Sequence, residues 1–348
     1  LPMFLLFGTH AGTLDFDKFA LSLPPHMTNI CFILALIGFG AKAGIIPFHI
    51  WLPEAHPAAP SHVSALMSGI MIKTGIYGIV RTLTFLGTPP LWWGWLLLAM
   101  GIISGILGVL FALAQHDLKG LLAYHSVENI GIITMGLGVG LIGWSTGVPS
   151  VAVLGMAGGL FHVVNHAMFK GLLFLGAGSV FHATHTRDID HLGGLIKRMP
   201  YTGISFLIGA VAISGLPPLN GFLSEFLIYL GSLRGAISME TKAAVPLIGA
   251  VAGLALIGGL AAACFTKAFG IVFLGEPRSN AARDAHESGG CMAVPMVLLA
   301  AGCVAIGLLG MFIVQAMAGV VSGIIGIDAS SELRIAAGYL VYITLGSI

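Results

Sequence analysis

Two apolar stretches with a lysine near the middle decide the fold of this chain: CFILALIGFGAKAGIIPF at residues 31–48 and SALMSGIMIKTGIYGIV at residues 64–80. The lysines are Lys42 and Lys73. Each stretch approaches the roughly 20 residues that a helix needs to cross a bilayer. A lysine at the centre of such a helix costs about 2.5 to 3.5 kcal/mol, so it persists where it pairs, faces water or moves charge. The pattern therefore indicates a membrane protein that handles ions.

The composition of the whole chain agrees with a membrane protein. Of the 348 residues, 57% are hydrophobic and 8% are charged, whereas about 25% of the residues in soluble domains are charged. The apolar runs are continuous and rich in Gly, Ala, Leu and Ile, which indicates helices rather than the alternating strands of a membrane barrel. The 50 glycines suit close packing of helices in lipid.

Charge and cysteine usage exclude several other classes. The net charge is +1 and the 15 basic residues are dispersed along the chain rather than gathered in a stripe, so no nucleic-acid partner is expected. The cysteines show no CxxC spacing, which argues against a disulfide framework, an iron–sulfur cluster or a zinc site. They are expected to be packing residues: Cys31, Cys264, Cys291 and Cys303.

The two ends of the chain fall inside apolar runs. It begins in LPMFLLFG and ends at Ile348 in AAGYLVYITLGSI, with no basic region or cleavage site of a signal peptide. We therefore expect an internal piece of a longer chain, truncated at both ends.

We predict an all-α fold, a polytopic transmembrane helix bundle that forms a single membrane domain over residues 1–348. It has about eight full spans and a partial segment at each end. The spans are predicted near residues 27–50, 62–85, 91–115, 118–143, 150–181, 201–233, 243–274 and 292–325. The longer loops, 182–200 and 276–290, share one side if the spans alternate. Six basic loop residues on that side against five on the other place it in the cytoplasm.

Two of these spans are predicted to be discontinuous, as in antiporter-like inverted-repeat folds. The helix-breaking residues are Gly40, Gly44 and Pro47 in the first span and Pro217 and Pro218 in the second. An ionisable residue accompanies each break, Lys42 in the first and Glu225 in the second. Such paired interruptions mark the ion site of transporters, because unwound backbone is tolerated in a membrane where it lines a cavity. The alternative interpretation is a proline kink that serves packing.

Nine ionisable residues lie inside the predicted spans. They are Lys42, Lys73, His125, Glu128, His162, His166, Lys170, Glu225 and Lys267. Because each would be costly against lipid, we expect them to converge on a polar, partly hydrated path through the bundle. Their distribution over several spans suits a proton relay better than a single catalytic pocket.

Helical spacing supports shared faces for some of these residues. His125 and Glu128 are three residues apart, and the HxxxHxxxK pattern from His162 to Lys170 forms one stripe. Histidine titrates near neutral pH and a desolvated lysine can release its proton, so such a face is suited to passing protons. The alternatives are hydrogen-bonded core histidines and, for Lys267, a side chain that reaches the membrane interface.

Two histidine-containing stretches invite a metal-site interpretation, HIWLPEAH at residues 49–56 and HVVNH at residues 162–166. HVVNH lacks the glutamate of the HExxH helix, and the first stretch runs through a proline-containing turn. We therefore expect no metal and no cofactor in this chain. The residues expected to line a mouth of the path, or to shape the loop over it, are His49, Glu54, His56 and His62. Asp117 and Lys119 are expected to form an interfacial pair.

The segment at residues 38–81 resembles the signature of a known family; it reads GFGAKAGIIPFHIWLPEAHPAAPSHVSALMSGIMIKTGIYGIVR. That family comprises the antiporter-like membrane subunits of respiratory complex I, Mrp-type cation/proton antiporters and membrane-bound hydrogenases. The hydrogenase-4 and formate hydrogenlyase branch is the most similar in three further segments: PEAHPAAPS at 53–61, AYHSVENIGII at 123–133 and THTRDIDHLGGL at 184–195.

The resemblance implies a role for each matching residue. Lys42 matches the lysine of the first broken helix, Lys73 the central lysine of the next helix, and Glu225 the terminal ionisable residue of the second broken helix. The stripe from His162 to Lys170 would bridge two half-channels. In the family the first lysine pairs with a glutamate on an earlier helix, and this sequence does not contain that helix.

The resemblance also implies a function. The expected protein is a proton-translocating subunit, without a redox centre of its own, of a respiratory or hydrogenase complex in the bacterial inner membrane. Redox cofactors are expected in partner membrane and peripheral subunits. The alternatives are an Mrp-type secondary antiporter that exchanges Na⁺ for protons, and a structural scaffold whose channel is no longer used.

Overall fold

The computed structural model describes residues 1–19 and 23–347, and these residues are almost entirely helical. The helices are α1 (Pro2–Ala11), α2 (Pro25–Ala43), α3 (Trp51–Ala58), α4 (Ser61–Leu66), α5 (Ile72–Leu86), α6 (Leu91–Leu113), α7 (Leu118–Thr146), α8 (Pro149–Thr184), α9 (Pro200–Ile213), α10 (Asn220–Ser238), α11 (Thr241–Phe273), α12 (Asn280–Arg283), α13 (Gly290–Leu308), α14 (Gly310–Ala316), α15 (Ala318–Ile325) and α16 (Ser330–Ser347). The predicted all-α bundle is confirmed. Residue 348, the end of the predicted C-terminal segment, lies outside the described residues.

Seven helices in this described part are long and apolar enough to cross a membrane. They are α2, the continuous segment Ser61–Leu86 that contains α4 and α5, α6, α7, α8, α11 and α13. The predicted span at 201–233 is not among them, because its break divides it into α9, which is too short, and α10, which is long enough but not sufficiently apolar. The chain is thus a multi-pass membrane protein.

The prediction of one continuous span over residues 292–325 is wrong. The helix is interrupted at Leu309 and again at Met317, which separates α13, α14 and α15. The first interruption coincides with a close approach to the second broken helix: a Cβ added at Gly307 would lie 2.1 Å from the carbonyl oxygen of Pro218. Packing against that irregular backbone is a tertiary constraint that hydropathy does not reveal.

Helix α7 forms the centre of the bundle. Its most apolar window is buried along its whole length, whereas only 22% of the corresponding window of α13 is buried. The outer helices expose leucine and isoleucine side chains, as lipid-facing helices do. Polar side chains on α7 and on its neighbour α8 are therefore shielded from lipid.

Glycines let α6 and α7 approach each other closely. A Cβ added at Gly131 of α7 would lie 2.5 Å from the backbone nitrogen of Gly105 and 2.7 Å from the carbonyl oxygen of Gly101. Small residues at such crossings are the usual means by which membrane helices pack, because van der Waals contact replaces the hydrophobic effect in lipid. The contact brings α6 against the part of α7 that carries Glu128.

Gly131→Ala is expected to destabilise the protein by about 1 to 3 kcal/mol, because the new methyl group meets backbone atoms that cannot rotate away. Gly249→Ala is the matched control: Gly249 also lies inside a long helix, α11, but nothing lies within 4 Å of an added Cβ. The control is expected to be neutral or slightly stabilising. Thermal unfolding of the full-length protein in detergent measures both, and equal stability of the two variants would contradict the close contact.

The first break follows α2 as predicted. Gly44 takes a left-handed conformation with φ 81, which ends the helix one residue after Ala43. Side chains satisfy the freed backbone: the indole of Trp51 donates to the carbonyl of Ala41 at 2.8 Å, and the hydroxyl of Ser104 accepts from the N–H of Ile46 at 3.0 Å. Backbone groups at membrane depth need such partners, because lipid offers none.

The second break separates α9 from α10, also as predicted. Gly215 has φ 63, and the peptide Pro217–Pro218 is cis, as is Ile46–Pro47 in the first break. The side-chain amide of Asn165 on α8 donates to the carbonyl of Asn220, in the first turn of α10, at 2.8 Å. In the sequence, the first break precedes the central helices α7 and α8 and the second break follows them.

A third irregularity was not predicted. Between α4 and α5 the chain forms a π-helical segment at Met67–Met71, directly before Lys73. Such wide turns shift helical register and often accompany functional side chains. The segment contains the pair Ser68–Gly69, a combination that accompanies helix irregularities, but no proline.

Candidate functional site

The structure brings most of the predicted ionisable residues into the interior of the bundle. Seven of the nine are buried, with side-chain exposures from 0 to 7%: Lys73, His125, Glu128, His162, His166, Lys170 and Glu225. They come from α5, α7, α8 and α10, so four helices contribute to one interior polar cluster. Lys42 and Lys267 are placed differently.

Lys73 lies in the first turn of α5, where the π-helical segment ends. Its ammonium donates to the carbonyl of Ser68, inside that segment. The Ser68 hydroxyl is 2.8 Å from the hydroxyl of Ser126 on α7. The wide turn thus presents a backbone acceptor to the lysine and links it to the central helix.

His125 and Glu128 contact each other on α7, as their spacing predicts. The His125 Nδ1 atom meets the Glu128 Oε2 atom, which also accepts from the Asn129 amide at 3.1 Å. Glu128 Oε1 and His125 Nε2 are buried and have no hydrogen-bond partner in residues 1–19 and 23–347. The ammonium of Lys170 approaches from α8 and donates to the carbonyl of Leu122 at 2.5 Å. Glu128 is the carboxylate that acts electrostatically on Lys170.

A line of hydrogen bonds leads from this pair across the bundle. The Asn129 Oδ1 atom is 3.0 Å from His162 Nε2, and His162 Nδ1 is 2.9 Å from the hydroxyl of Ser224 on α10. We call His125, Glu128, Asn129, His162 and Ser224 the polar line. It connects α7, α8 and α10 through side chains that can each exchange a donor for an acceptor role or reorient.

Glu225 follows the end of the polar line on α10. Its carboxylate lies against the second break, where a Cβ added at Gly215 would be 2.5 Å from Glu225 Oε2. Glycine at this position therefore leaves room for the carboxylate as well as for the left-handed turn. Glu225 and Glu128 lie within electrostatic range of each other.

His166 lies between the lysines. Both of its ring nitrogens are buried without a partner in the described residues. The ionisable groups that act on it are Lys73, Lys170, His162 and His56. The HxxxHxxxK stripe is thus confirmed as one buried face of the continuous helix α8.

Three uncharged polar residues of this cluster were missed by the sequence analysis. Asn129, Asn165 and Ser224 make the hydrogen bonds that join the ionisable residues. Their signal was available, because each is directly beside an ionisable residue in the sequence: Asn129 beside Glu128, Asn165 beside His166, and Ser224 beside Glu225.

Two predicted residues stand apart from the cluster. Lys42 is exposed in the last turn of α2, at the first break. The ammonium of Lys267 donates to the carbonyls of Leu113 at 2.9 Å and Gln115 at 3.3 Å, at the C-terminal end of α6. A cation there satisfies free carbonyl groups and the helix dipole, so the geometry assigns Lys267 a capping contact.

Asp117 and Lys119, at the start of α7, have different partners from those expected. Asp117 caps α7 and pairs with Arg187 at 3.1 Å, whereas the Lys119 ammonium is buried and donates to the carbonyl of Ala59. The predicted interfacial pair of Asp117 with Lys119 is therefore wrong, because the nearby loop supplies Arg187 as the closer cation. Their remaining contact is a hydrogen bond from the Lys119 backbone to Asp117.

The four residues that were expected to line a mouth of the proton path differ in how exposed they are. His62 and Glu54 are exposed, His49 is partly buried, and His56 is completely buried. His62 lines a cavity of about 550 Å³ between α4, α8 and α13. Within residues 1–19 and 23–347, no group of three or more His, Cys, Asp or Glu side chains is arranged to hold a metal ion.

Comparison with known proteins gives the family context of this site. The family described as NADH:quinone oxidoreductase/Mrp antiporter, transmembrane, matches residues 1–251. Hydrogenase-4 component B of Escherichia coli is 52% identical over 311 residues, which are 88% of this chain and 46% of that protein. Formate hydrogenlyase subunit 3 of the same species is 44% identical over 298 residues, 84% of this chain and 48% of that protein. The chain spans about half the length of these curated relatives.

A solved structure shows the same fold. The structure of the Mrp complex from a Dietzia species contains a chain that matches with a TM-score of 0.75 and 24% identity, over 98% of this chain and 66% of that one. These matches confirm the resemblance inferred from residues 38–81, including its hydrogenase-4 and formate hydrogenlyase branch.

Proposed function

This chain belongs to the NADH:quinone oxidoreductase/Mrp antiporter transmembrane family, and we propose that it moves protons as a subunit of a redox-driven membrane complex of the hydrogenase-4 or formate hydrogenlyase type. The observation that carries the proposal is the polar line, together with the buried Lys73 and Lys170 beside it. Burying so many ionisable groups in a membrane bundle is costly, and such groups mark ion pathways and proton relays in membrane proteins.

In this proposal the relay runs along the interior cluster. Lys73 passes a proton toward the stripe of His162, His166 and Lys170, and Glu225 releases protons at the second break. A change of charge at the Lys42 end, caused by electron transfer in partner subunits, would drive the sequence. The partners would be membrane and peripheral subunits that hold the redox cofactors, and the complex would reside in the bacterial inner membrane.

The test uses the full-length protein, purified with its associated subunits and reconstituted in liposomes. Adding the electron donor of the complex is expected to produce proton movement, reported by a pH-sensitive dye, at equal rates with and without Na⁺. Electron transfer without any proton movement would contradict the proposal.

A second candidate is a secondary Na⁺/proton antiporter, which the family description and the similarity to the Mrp complex favour. The same liposomes decide between the two. An imposed Na⁺ gradient that moves protons without an electron donor would support the antiporter and contradict redox coupling.

A further inference from the structure

His56 is a buried histidine that the relay described above does not use. It lies on the short helix α3, with no exposed surface. Neither ring nitrogen has a hydrogen-bond partner within residues 1–19 and 23–347. An unpartnered polar group in a protein interior is costly, so two on one ring need an explanation.

The surroundings of His56 connect it to Lys170. The imidazole stacks on the ring of Phe174, with 4.7 Å between the ring centroids and 20° between the planes. The ammonium of Lys170 lies 5.6 Å from the centroid of that same phenylalanine ring. Three cations act electrostatically on His56, namely Lys170, Lys119 and Lys73. His56 is therefore close to Lys73 and Lys170, the two lysines of the interior cluster.

Beyond the turn of α8 that carries Phe174 lies the cavity of about 550 Å³, which we call the histidine cavity and which His56 does not itself line. Its polar and small lining residues are Ser61, His62, Gly178, His182, His185 and Cys291. Along α8, Phe174, Gly178 and His182 follow at four-residue steps, so the cavity begins one helical turn beyond the ring on which His56 stacks. A Cβ added at Gly178 would lie 2.7 Å from the Cβ of Ser61, which closes the wall between α8 and α4.

The histidine cavity lies at the C-terminal end of α8, where His182 and His185 line it. Arg187, from the loop after α8, donates to the carbonyl of Pro57 at the end of α3 and pairs with Asp117. Its loop belongs to the side that the distribution of basic residues places in the cytoplasm. His62, His182 and His185 are exposed there.

From this arrangement we propose that the histidine cavity is the cytoplasmic access for protons and that His56 is the buried relay between it and Lys170. One ring nitrogen of His56 takes a proton from a hydronium ion in the cavity, which becomes water, while the other nitrogen gives its proton to the uncharged amine of Lys170, which becomes an ammonium. The imidazole is neutral before and after this step, but its proton now lies on the other ring nitrogen. Rotation of the ring or the reverse tautomer shift restores the starting state. This proposal rests on the proposed proton transport and adds the route by which the cluster is filled.

The first test replaces the imidazole ring of His56 with a side chain that still fills its space. His56→Phe keeps the stacking on Phe174 and the burial but cannot carry a proton. Proton transport per electron in the reconstituted full-length complex is expected to fall by about a hundredfold, with the complex assembled and its thermal stability retained. His26→Phe, the same change at an exposed histidine of α2, is the control and is expected to transport normally.

Chemical rescue separates proton transfer from packing. His56→Ala leaves a space that free imidazole fits, and imidazole is expected to restore transport. Thiazole has the same ring shape but is a much weaker base, so it is expected to fail. Restoration by both compounds, or normal transport by His56→Phe, would overturn the relay. A wild-type complex that transfers electrons but moves no protons would instead overturn the proposed function together with the relay.

A labelling measurement tests the access route independently of transport. Cys291 is the exposed cysteine of the described residues, whereas Cys31, Cys264 and Cys303 are buried. A membrane-impermeant thiol reagent is expected to label it from the cytoplasmic side of membrane vesicles and to slow transport, and Cys291→Ser is expected to be resistant. Labelling from the opposite side only, or labelling without any effect on transport, would contradict the assignment of this cavity.

Discussion

Replacing Lys73 with methionine is expected to lower proton transport per electron by about two orders of magnitude. Lys73 is a buried cation of the interior cluster, and its ammonium binds the carbonyl of Ser68 in the π-helical segment. Methionine has a similar length and fits an apolar helix, so the bundle is expected to fold. What is lost is the proton that this position can hold and release.

The measurement is proton movement in liposomes that contain the full-length complex, with electron transfer recorded in parallel. Lys242→Met, at an exposed position near the start of α11, controls for loss of a positive charge. Undiminished transport in the Lys73 variant would contradict the proposed relay and favour a scaffold whose channel is no longer used. Loss of transport in both variants would point to an effect of net charge.

Glu128→Gln is expected to have a comparably large effect on transport with little effect on folding. The amide has the same shape as the carboxylate and can still accept hydrogen bonds from Asn129 and His125. It removes the negative charge that acts on Lys170. A buried ammonium without that charge has little to offset its desolvation, so Lys170 would no longer hold a proton for transfer.

Proton movement and thermal stability of the same preparation check this prediction. Glu240→Gln is the control, because Glu240 is exposed at the start of α11. Normal transport in the Glu128 variant would mean that His125 and Glu128 stabilise the structure and take no part in proton transfer. A variant that is strongly destabilised, with the control intact, would mean that the charge is needed for folding rather than for transfer.

Much of this architecture was predictable from local sequence. Residues 40–47 and 215–221 combine glycine and proline within apolar runs, and both positions are broken in the structure. The reason is local, since a left-handed glycine ends a helix and proline removes a helical N–H donor. Proline alone is not sufficient, because Pro246 lies inside the continuous helix α11. The buried stripe on α8 was equally predictable, because four-residue spacing alone places its members on one face.

Other features depended on neighbours that are distant in sequence. Lys267 has the same type of apolar surroundings as Lys73, but it contacts the end of α6, whereas Lys73 is buried in the cluster. Asp117 pairs with Arg187, which lies 70 residues further along the chain, and the helix at residues 292–325 is interrupted beside Pro218. Hydropathy and spacing do not encode such contacts.

By itself, the sequence determined that this chain crosses a membrane and where two of its helices break, and it identified seven of the ionisable residues that are buried in the bundle. Those properties follow from hydropathy, backbone preferences and helical periodicity, which act over a few residues. Only the tertiary structure decided that Asn129 and Ser224 join His125, Glu128 and His162 into one line, and that His56 is buried against Phe174. Hydrogen bonds of about 3 Å between different helices depend on how the helices are rotated and packed, and that packing arises from contacts along their whole length.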